Sequence, residues 1–531
     1  QLLAPLLQRA LPAVLEFAGD HQLGLEPHLE AVGKGFEHRL QRLAVLQGAQ
    51  HPPEDQHHGQ GGAVLGQVEA LQPEFANPPW RGRRTPQEIA GKSGIKEAAK
   101  AAVSCRQPPH QGAGMPAYRP RIVDAELLDQ LQSAGAVVIE GPKACGKTMT
   151  ATQQAASRVL LDVDLAARQA LAVDPALVLA GARPRLLDEW QVEPGLWNQV
   201  RRAVDAADQP GQFLLTGSSV PADDADRHTG AGRFSFLRMR PMTLFEAGVS
   251  VGGVSLRQLF AGEAPRSADP GLTVQDLCVL ISIGGWPAQQ GRPVKAALRA
   301  TRDYLEQVRQ VDISRVGEHR RDPVKVGYLL RALGRHSATE ARLATLAADA
   351  VGGGAALDER TVSDYLQALE RLMVIEDQPA WAPHLRSRAR LRKAPKRHYV
   401  DPSLAVAALG AGPERLLADL ELLGLLFESL VIRDLRVYSQ PLDGEVLHYR
   451  DHYGVEVDAI VQLRDGRWGA IEIKLGEGQV EQAAAGLLHF ARQIDTSRTG
   501  PPSFLAVICG KGYGYRREDG VVVVPVGAFG P

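Results

Sequence analysis

One segment of eight residues constrains the fold of this chain more than any other. It follows a continuously apolar run at residues 136–139 that Glu140 closes, and it precedes a stretch compatible with a helix, residues 151–158. A short apolar run of this kind is typical of a buried parallel strand. The segment has the spacing G-x-x-x-x-G-K-S/T, and strand, glycine-rich loop and helix in this order predict a phosphate-binding loop. Its residues are Gly141, Pro142, Lys143, Ala144, Cys145, Gly146, Lys147 and Thr148.

The residue types in this loop have specific chemical roles in binding a nucleotide. Gly141 and Gly146 let the backbone turn tightly, so that several N–H groups face one phosphate. The helix that follows adds the positive end of its dipole. We expect Lys147 to reach the β- and γ-phosphates and Thr148 to supply a hydroxyl to Mg²⁺. The loop therefore predicts ATP and Mg²⁺ as cofactors, and the absence of an NKxD guanine-reading motif favours ATP over GTP.

A second strand is predicted at residues 185–189, and it ends in two carboxylates. We expect Asp188 to hold Mg²⁺, directly or through water, and Glu189 to orient or activate the attacking water. A solvated acidic pair at a strand end is the alternative interpretation.

A third strand, at residues 212–219, ends in small polar residues. Thr216 or Ser218 is a candidate sensor of the γ-phosphate, although a structural cap for the next element would use the same residue types. Three arginines follow, and one of them could act as an arginine finger, for which we favour Arg233. They are Arg227, Arg233 and Arg238.

Composition limits the class of protein. A chain of 531 residues predicts roughly two to four domains of ~100–200 residues each. The formal net charge of -1 provides no global field that would attract nucleic acid, so any such surface must be local. The four cysteines form no C-x-x-C pair, which argues against a disulfide framework or zinc site. No apolar run reaches the ~18 residues of a membrane span, so we expect a cytoplasmic protein.

Residues 1–114 differ from the rest of the chain. They are rich in Gln, His, Pro and Gly, and the first methionine of the chain is Met115. This stretch is either a poorly ordered region or translated upstream sequence whose natural start is Met115, and we favour the second interpretation. The pair His57-His58 could bind a metal, but we favour a solvated, disordered tract.

The motifs described so far resemble those of a group of prokaryotic AAA-type ATPases. The resemblance rests on the phosphate-binding loop, Leu-Leu-Asp-Glu-Trp at 186–190, Leu-Leu-Thr-Gly-Ser at 214–218, Gly-Arg at 232–233 and residues 239–246. Residues 284–287 and 395–401 also resemble signatures of this group. The resemblance implies an ATPase domain followed by a C-terminal domain of unknown function with a restriction-endonuclease-like core. It covers the chain from about Tyr118 onward.

The middle of the chain has the outline of a winged helix-turn-helix. A helical pattern at residues 342–347, a glycine break and an amphipathic helix at 357–372 precede a strand-like run at 373–377. The second helix carries more acidic than basic residues, so a structural or protein-binding role is favoured over reading DNA bases. A basic stretch follows, which could contact phosphates or form a solvated loop. It contains Arg386, Arg388, Arg390, Arg392, Lys393, Lys396 and Arg397.

The C-terminal part predicts a nuclease-like arrangement of carboxylates. Glu428 lies in the helix-like segment 422–432, and strand-like runs follow at 445–450, 455–463 and 468–475. Asp458 and the sequence Glu472-Ile473-Lys474 on neighbouring strands resemble the PD-(D/E)xK pattern. We expect Asp458, Glu472 and Glu428 to hold Mg²⁺ and Lys474 to steady the attacking hydroxide. In the alternative, Lys474 only forms ion pairs with the carboxylates.

The sequence therefore predicts an α/β protein: a P-loop AAA-type ATPase domain, a winged-helix-like middle and a restriction-endonuclease-like C-terminal domain. The boundaries are 1–114 for the unmatched segment, 115–250 for the ATPase core and 251–335 for a lid-like helical extension. The winged-helix-like part is 336–383 and the nuclease-like domain 384–531. We expect ATP hydrolysis to control the C-terminal module, with DNA or a protein as partner. An ATP-dependent nuclease and a non-enzymatic, ATP-switched adaptor are the alternatives, and the oligomeric state is left open.

Overall fold

The computed structural model describes residues 118–217, 229–316, 321–352, 355–383 and 393–531. All of them belong to one structural unit, Cys105–Pro531. Several positions named above lie outside the described residues. They are the proposed start Met115, the pair His57-His58, the sensor candidate Ser218, Arg227, and the basic residues Arg386, Arg388, Arg390 and Arg392.

The first part of the chain forms a five-stranded parallel sheet with the strand order β2-β3-β4-β1-β5. The apolar runs of the sequence become its central strands, because side chains on both faces of such a sheet are buried. All strands point the same way, so their carboxyl ends meet at one edge. The strands are β1 (Ala136–Glu140), β2 (Ser157–Leu160), β3 (Arg185–Asp188), β4 (Phe213–Gly217) and β5 (Phe234–Arg238).

Helices cover both faces of this sheet. Val138 of β1 packs in one apolar cluster with Trp197, whereas its neighbour Val137 packs in another with Leu127. The helix after the predicted phosphate-binding loop begins at Lys147 and ends earlier than expected, because the chain enters β2 there. The helices are α1 (Val123–Ser133), α2 (Lys147–Gln154), α3 (Leu165–Val173), α4 (Pro175–Leu179) and α5 (Leu196–Ala207).

The middle of the chain is mainly helical. It contains the short strand β6 (Val254–Ser255) and the helices α6 (Leu256–Phe260), α7 (Val274–Ile283), α8 (Val294–Gln310), α9 (Pro323–Arg335), α10 (Leu343–Asp349) and α11 (Glu359–Arg371). Between α10 and α11 lies a two-residue antiparallel pair, β7 (Val351–Gly352) and β8 (Ala355–Ala356). Short turns of 3₁₀ helix occur at Pro287–Gln289 and Asp312–Arg315.

The prediction for the end of this region is partly wrong. Helix α11 buries the apolar face expected of it, including Val362, Tyr365 and Leu369. The strand expected at 373–377 does not form. Met373 has a φ of 56°, in the left-handed region, and the segment makes only isolated bridges such as that between Ile375 and Tyr399. A left-handed residue interrupts the extended backbone that a ladder requires.

The last part of the chain forms a six-stranded mixed sheet with the order β13-β14-β12-β11-β10-β9. The three strands expected from alternation form an antiparallel meander, and β12 and β14 then add in parallel to β11. The strands are β9 (Gly444–Arg450), β10 (Glu456–Leu463), β11 (Trp468–Lys474), β12 (Phe504–Cys509), β13 (Tyr515–Arg516), β14 (Val522–Pro525) and β15 (Phe529–Gly530). The helices are α12 (Pro402–Ala408), α13 (Pro413–Ala418), α14 (Leu420–Ser439), α15 (Val480–Gln493) and α16 (Thr496–Thr499).

The final strand returns to an earlier part of the chain. Strand β15 pairs in parallel with β6, and the Ser250 hydroxyl donates a hydrogen bond to the Phe529 carbonyl at 2.6 Å. The ring of Phe529 also meets that of Tyr438, in α14, edge to face. None of the helices in the described part of the chain combines the length and apolar character that crossing a bilayer requires.

Candidate functional site

The loop after β1 turns sharply at two positions. Gly146 has a φ of 107° and Ala144 a φ of 63°. Gly141 is required for a different reason, since a Cβ atom there would clash with the backbone carbonyl of Met239. The buried Cys145 completes the turn by donating its N–H to the Pro142 carbonyl at 3.5 Å. Glycine at 141 and 146 is therefore explained by close backbone approach at one position and left-handed backbone at the other.

Lys147 begins helix α2 and points back over the loop. Its side chain is largely buried, and Nζ donates hydrogen bonds of 2.9 Å to the carbonyls of both Gly141 and Pro142. The residue also lines the large cleft described below. A lysine charge is thus fixed within the curve of the loop, where the sequence places a phosphate-binding group.

Asp188 is the point at which three of the predicted site residues meet. It closes strand β3, directly opposite Thr216 of β4 in the parallel register. Its Oδ1 accepts a hydrogen bond from the Thr148 hydroxyl at 2.9 Å and another from the Thr216 hydroxyl. The carboxylate is 6% exposed. The fold therefore brings together the loop threonine, the strand-end aspartate and the sensor candidate.

Glu189 has an unusual backbone conformation. Its φ of 53° lies in the left-handed region, which costs a non-glycine residue on the order of 1 kcal/mol or more and is frequently found at functional sites. Gln191 donates a hydrogen bond from Nε2 to Glu189 Oε2, and both residues line the cleft. No sequence pattern marks Gln191 as a site residue, because a glutamine shortly after a strand end is common.

Lys147, Thr148, Glu189 and Gln191 line a cleft of about 1060 Å³. Its opposite wall is formed by residues from the middle of the chain, among them Pro287, Gln290, Arg315, Val316 and Leu372. Lys143 links the loop to this wall through an ion pair of 2.6 Å with Asp312, in the 3₁₀ turn Asp312–Arg315. The sequence analysis did not assign these wall residues to the site, since their approach depends on tertiary packing.

Arg121 is a second contributor that the sequence analysis missed. Its guanidinium is 3% exposed and forms an ion pair of 3.0 Å with Glu246. The same group donates hydrogen bonds to the Cys145 carbonyl at 2.9 Å and to the Arg240 carbonyl at 2.7 Å. Arg121 therefore fixes the loop backbone to the segment that follows β5.

Arg233, the favoured arginine finger, is not among the residues that line the cleft. Its Nε instead forms an exposed ion pair of 2.7 Å with Asp205, at the end of α5. The arginines that do line the cleft are Arg119, Arg121 and Arg315. A role for Arg233 in this chain's own site is therefore not supported by its position, and the assignment stays a prediction.

The donor set at the strand edge fits a nucleotide with Mg²⁺. A hydroxyl and a carboxylate, from Thr148 and Asp188, stand 2.9 Å apart, and Mg²⁺ is usually bound by one or two such oxygens together with substrate phosphates and water. The loop offers a concave backbone and a lysine, which suit a phosphate group. The residues present are thus those that such a ligand needs.

A second cluster of charged residues lies in the C-terminal sheet. Asp458 of β10 and Glu472 of β11 are both bound by Lys474, at 3.0 and 2.6 Å respectively. Glu428 of α14 reaches the same cluster through Lys396, which is 2.8 Å from Glu428 and 3.4 Å from Asp458. The predicted carboxylates therefore converge, together with Lys396, to which the sequence analysis gave no role in this cluster.

The charges in this cluster shift one another's pKa. Burial, and next the negative charge of Asp458, raise the pKa of Glu472 to about 8. Burial also raises the pKa of Glu428 to about 8, although Lys396 opposes the shift. For Asp458 the effect of burial is outweighed by Lys396 and Lys474, which lower its pKa. The cluster is thus a strongly coupled set of charges in a largely dry position.

As arranged, this second donor set does not fit a divalent metal. Within the described residues, no group of three or more His, Cys, Asp or Glu side chains has an arrangement that could hold a metal ion. Ammonium groups lie among the carboxylate oxygens that would be ligands. The prediction that Glu428, Asp458 and Glu472 hold Mg²⁺ stays a prediction, and Lys396 is the observation against it.

Comparison with known protein families divides the described chain into three matched regions. Residues 133–247 match the model of an AAA domain. Residues 274–415 and 423–529 match two domains of unknown function, DUF8612 and DUF4143. The AAA match covers the whole five-stranded sheet, and it supports a P-loop ATPase of the AAA type with an α/β fold. Nucleotide binding, usually with Mg²⁺, is implied by that assignment.

Individual relatives add little about function. Uncharacterized proteins of Mycobacterium tuberculosis and Mycobacterium bovis are each 25% identical over 364 residues, covering 66% of this chain and 72% of theirs. A solved structure, described as a Walker-type ATPase of Pyrococcus abyssi, is 12% identical. It covers 54% of this chain and 94% of its own, with a TM-score of 0.34.

Proposed function

We propose that this protein hydrolyses ATP with Mg²⁺ at the cleft beside β1, β3 and β4. We also propose that nucleotide controls the nuclease-like region predicted at 384–531, called the C-terminal unit below. One observation carries the first part. Asp188 accepts hydrogen bonds from both Thr148 and Thr216. These residues lie at the edge of the sheet where the glycine-rich loop leads into α2. This joins a Mg²⁺-binding hydroxyl and carboxylate to a polar residue of the neighbouring strand.

Each residue has a distinct role in the proposed reaction. Lys147 holds the phosphates through charge, and Thr148 and Asp188 hold the metal. Bound Mg²⁺ supplies positive charge to the transferred phosphoryl group. Glu189 accepts the proton of the attacking water or orients that water, and its strained backbone sets the direction of the carboxylate. Thr216 holds Asp188 in place through its hydroxyl, and it is the proposed sensor of the γ-phosphate.

A continuous series of contacts supports control of the C-terminal unit. Arg121 binds the loop carbonyl of Cys145 and the backbone of Arg240. The Arg240 side chain in turn binds Glu376 and donates a hydrogen bond of 2.7 Å to Gln440, next to α14. Because α14 carries Glu428 and packs on β9, β10 and β11, a movement of the loop has a contiguous route to that sheet.

For the C-terminal unit we propose a nuclease-like fold without proposing cleavage. The antiparallel meander extended by parallel strands, with Asp458 and Glu472 adjacent, supports this comparison. Its partner would be DNA or a protein, in the cytoplasm. An ATP-dependent nuclease would require cleavage that depends on a metal and is lost in Asp458→Asn. An adaptor would require slow turnover and a stable complex formed only with ATP.

Steady-state ATP hydrolysis by the purified full chain tests the proposal. Glu189→Gln should lower turnover at least ~10-fold, because the amide keeps the shape but cannot take a proton. The matched control is Lys295→Ala, an exposed lysine of α8 outside the cleft, which should retain the wild-type rate. Equal turnover in wild type and Glu189→Gln would refute hydrolysis at this site. Repeating the assay with duplex DNA asks whether nucleic acid is the partner.

Hydrogen–deuterium exchange tests the second part of the proposal. In Glu189→Gln, addition of ATP and Mg²⁺ should change the exchange rates of amides in α14 and in strands β9 to β11. Lys147→Ala, which should not hold the phosphates, should show no such change. If ATP changes the exchange rates only in the loop and the cleft, the nucleotide does not control the C-terminal unit.

A further inference from the structure

A buried lysine lies where the carboxylates of the C-terminal sheet converge. The Lys396 Nζ is 2.8 Å from Glu428 Oε1, 3.1 Å from Glu456 Oε1 and 3.4 Å from Asp458 Oδ1. Its side chain is 2% exposed. Lys396 itself lies between α11 and α12, in the region matched by DUF8612, whereas all three carboxylates lie in the region matched by DUF4143. A neighbouring part of the fold therefore supplies the cation.

The backbone fixes this lysine in position. Lys396 and Gln378 exchange two hydrogen bonds, of 3.0 and 2.9 Å, in an isolated antiparallel bridge. The Gln378 side chain is fully buried and donates from Nε2 to the Asp458 carbonyl at 3.0 Å. The segment that carries Lys396 is thus attached to the strand that carries Asp458. The backbone of the fold therefore places the Lys396 side chain in the cluster, and its position does not depend on the choice of a surface rotamer.

The second carboxylate oxygen of Asp458 also has partners. Its Oδ2 accepts a hydrogen bond of 2.8 Å from the Ile473 N–H and forms an ion pair of 3.0 Å with the Lys474 ammonium. Mg²⁺ requires oxygens at about 2.0–2.1 Å in near-octahedral geometry and strips its water reluctantly. An ammonium group has three donors and no acceptor, so it cannot be a ligand. The ammonium group would also repel a divalent cation next to it, and this repulsion is strong in a buried position.

We propose that Lys396 is the resident cation of this cluster and that it excludes a divalent metal. The ammonium neutralises the carboxylates that a nuclease-like fold would otherwise present to Mg²⁺. While Lys396 is inserted, the C-terminal unit binds its partner without metal-dependent cleavage. This inference depends only on the C-terminal cluster and does not require that the cleft hydrolyses ATP.

Binding of Mn²⁺ to the full chain without nucleotide tests the inference, with the free Mn²⁺ signal measured by electron paramagnetic resonance. Any metal bound near the ATP cleft contributes equally to the wild type and to Asp458→Asn, so their difference reports on the cluster alone. We expect the two titrations to superimpose. Lys396→Met keeps the apolar stem and removes the charge, and it should bind one more Mn²⁺ per chain than the double variant Lys396→Met with Asp458→Asn.

Two results would overturn the inference. One is a wild-type chain that binds one more Mn²⁺ than Asp458→Asn, since the lysine would then coexist with the metal. The other is a folded Lys396→Met chain that gains no Mn²⁺. If Lys396→Met does not fold, the comparison between wild type and Asp458→Asn still decides, because it requires no change at the lysine.

Discussion

Arg240 and Glu376 form a 2.6 Å ion pair between the segment after β5 and the segment after α11. Both side chains are largely buried, at 13% and 19% exposed. Glu376 is also approached by Arg436 of α14, at 3.7 Å. Burial alone would raise the pKa of Glu376, but Arg240 and next Arg436 outweigh it and hold the pKa well below its usual range. Three parts of the chain thus meet at one carboxylate.

Replacing Arg240 with Ala should destabilise the protein by about 3–5 kcal/mol, because a buried carboxylate loses its closest partner. Thermal and urea unfolding at neutral pH measure the loss. The folded-state pKa of Glu376 is depressed, so its contribution is present above the unfolded value of about 4.3 and disappears as pH falls through the folded-state pKa. The difference between wild type and variant should therefore shrink below about pH 4. A difference that does not shrink as the pH falls from 4 through the folded-state pKa of Glu376 would assign the loss to packing alone.

Lys147→Ala and Glu189→Gln should separate binding from turnover. Lys147→Ala removes a charge that faces the phosphates, so nucleotide affinity should fall at least ~10-fold. Glu189→Gln should bind nucleotide as the wild type does, since the amide preserves shape. Titration with a fluorescent ATP analogue gives both affinities. Equal loss of affinity in the two variants would contradict this division of roles.

Thr216→Val should test the link between β4 and the Asp188 carboxylate. Valine keeps the side-chain volume but removes one of the two hydroxyls that donate hydrogen bonds to Asp188. A hydrogen bond to a charged group contributes roughly 1.5–3 kcal/mol, so we expect turnover to fall on the order of 10-fold and more Mg²⁺ to be needed for half-maximal rate. Thr216→Ser retains the hydroxyl and should restore both values. A valine variant with unchanged Mg²⁺ dependence would place Thr216 outside the reaction.

A chain that begins at Met115 should fold and bind ATP like the full chain. Residues 118 onward include the whole loop, the five-stranded sheet and the cleft wall, which is why we expect the preceding stretch to be dispensable. Circular dichroism and the same nucleotide titration measure this. An insoluble truncated chain, or one that fails to bind, would make residues 1–114 part of the functional protein.

Local patterns predicted the elements that depend on their own residues. The apolar run before the loop, the Leu-Leu-Asp-Glu run and the three strands after α14 all form within a residue or two of their expected bounds. The convergence of Asp458, Glu472 and Lys474 follows from alternation on neighbouring strands. The AAA match agrees with the loop and strand motifs. These features require only local sequence and short-range pairing.

Other parts of the site depend on contacts between distant segments. Lys396 was interpreted within a basic stretch, because its sequence neighbours are mostly arginines and the pattern cannot show that one lysine turns inward. Arg121 joins the cleft through its hydrogen bonds to the Cys145 and Arg240 carbonyls, and Arg315 joins it through packing of the middle region. The prediction of a strand at 373–377 was wrong because Met373 has a left-handed backbone conformation. The pattern of apolar residues does not reveal such a conformation.

The pairing of β15 with β6 has a consequence for synthesis on the ribosome. Strand β6 directly follows the segment after the five-stranded sheet, but its partner is Phe529–Gly530. Contacts between such distant residues form late, because the intervening chain must first be closed into a loop. Ser250 and Val251, which donate hydrogen bonds to the carbonyls of Phe529 and Gly527, therefore make these contacts only after residues 527–529 have emerged. Until then the edge of β6 that pairs with β15 is uncovered.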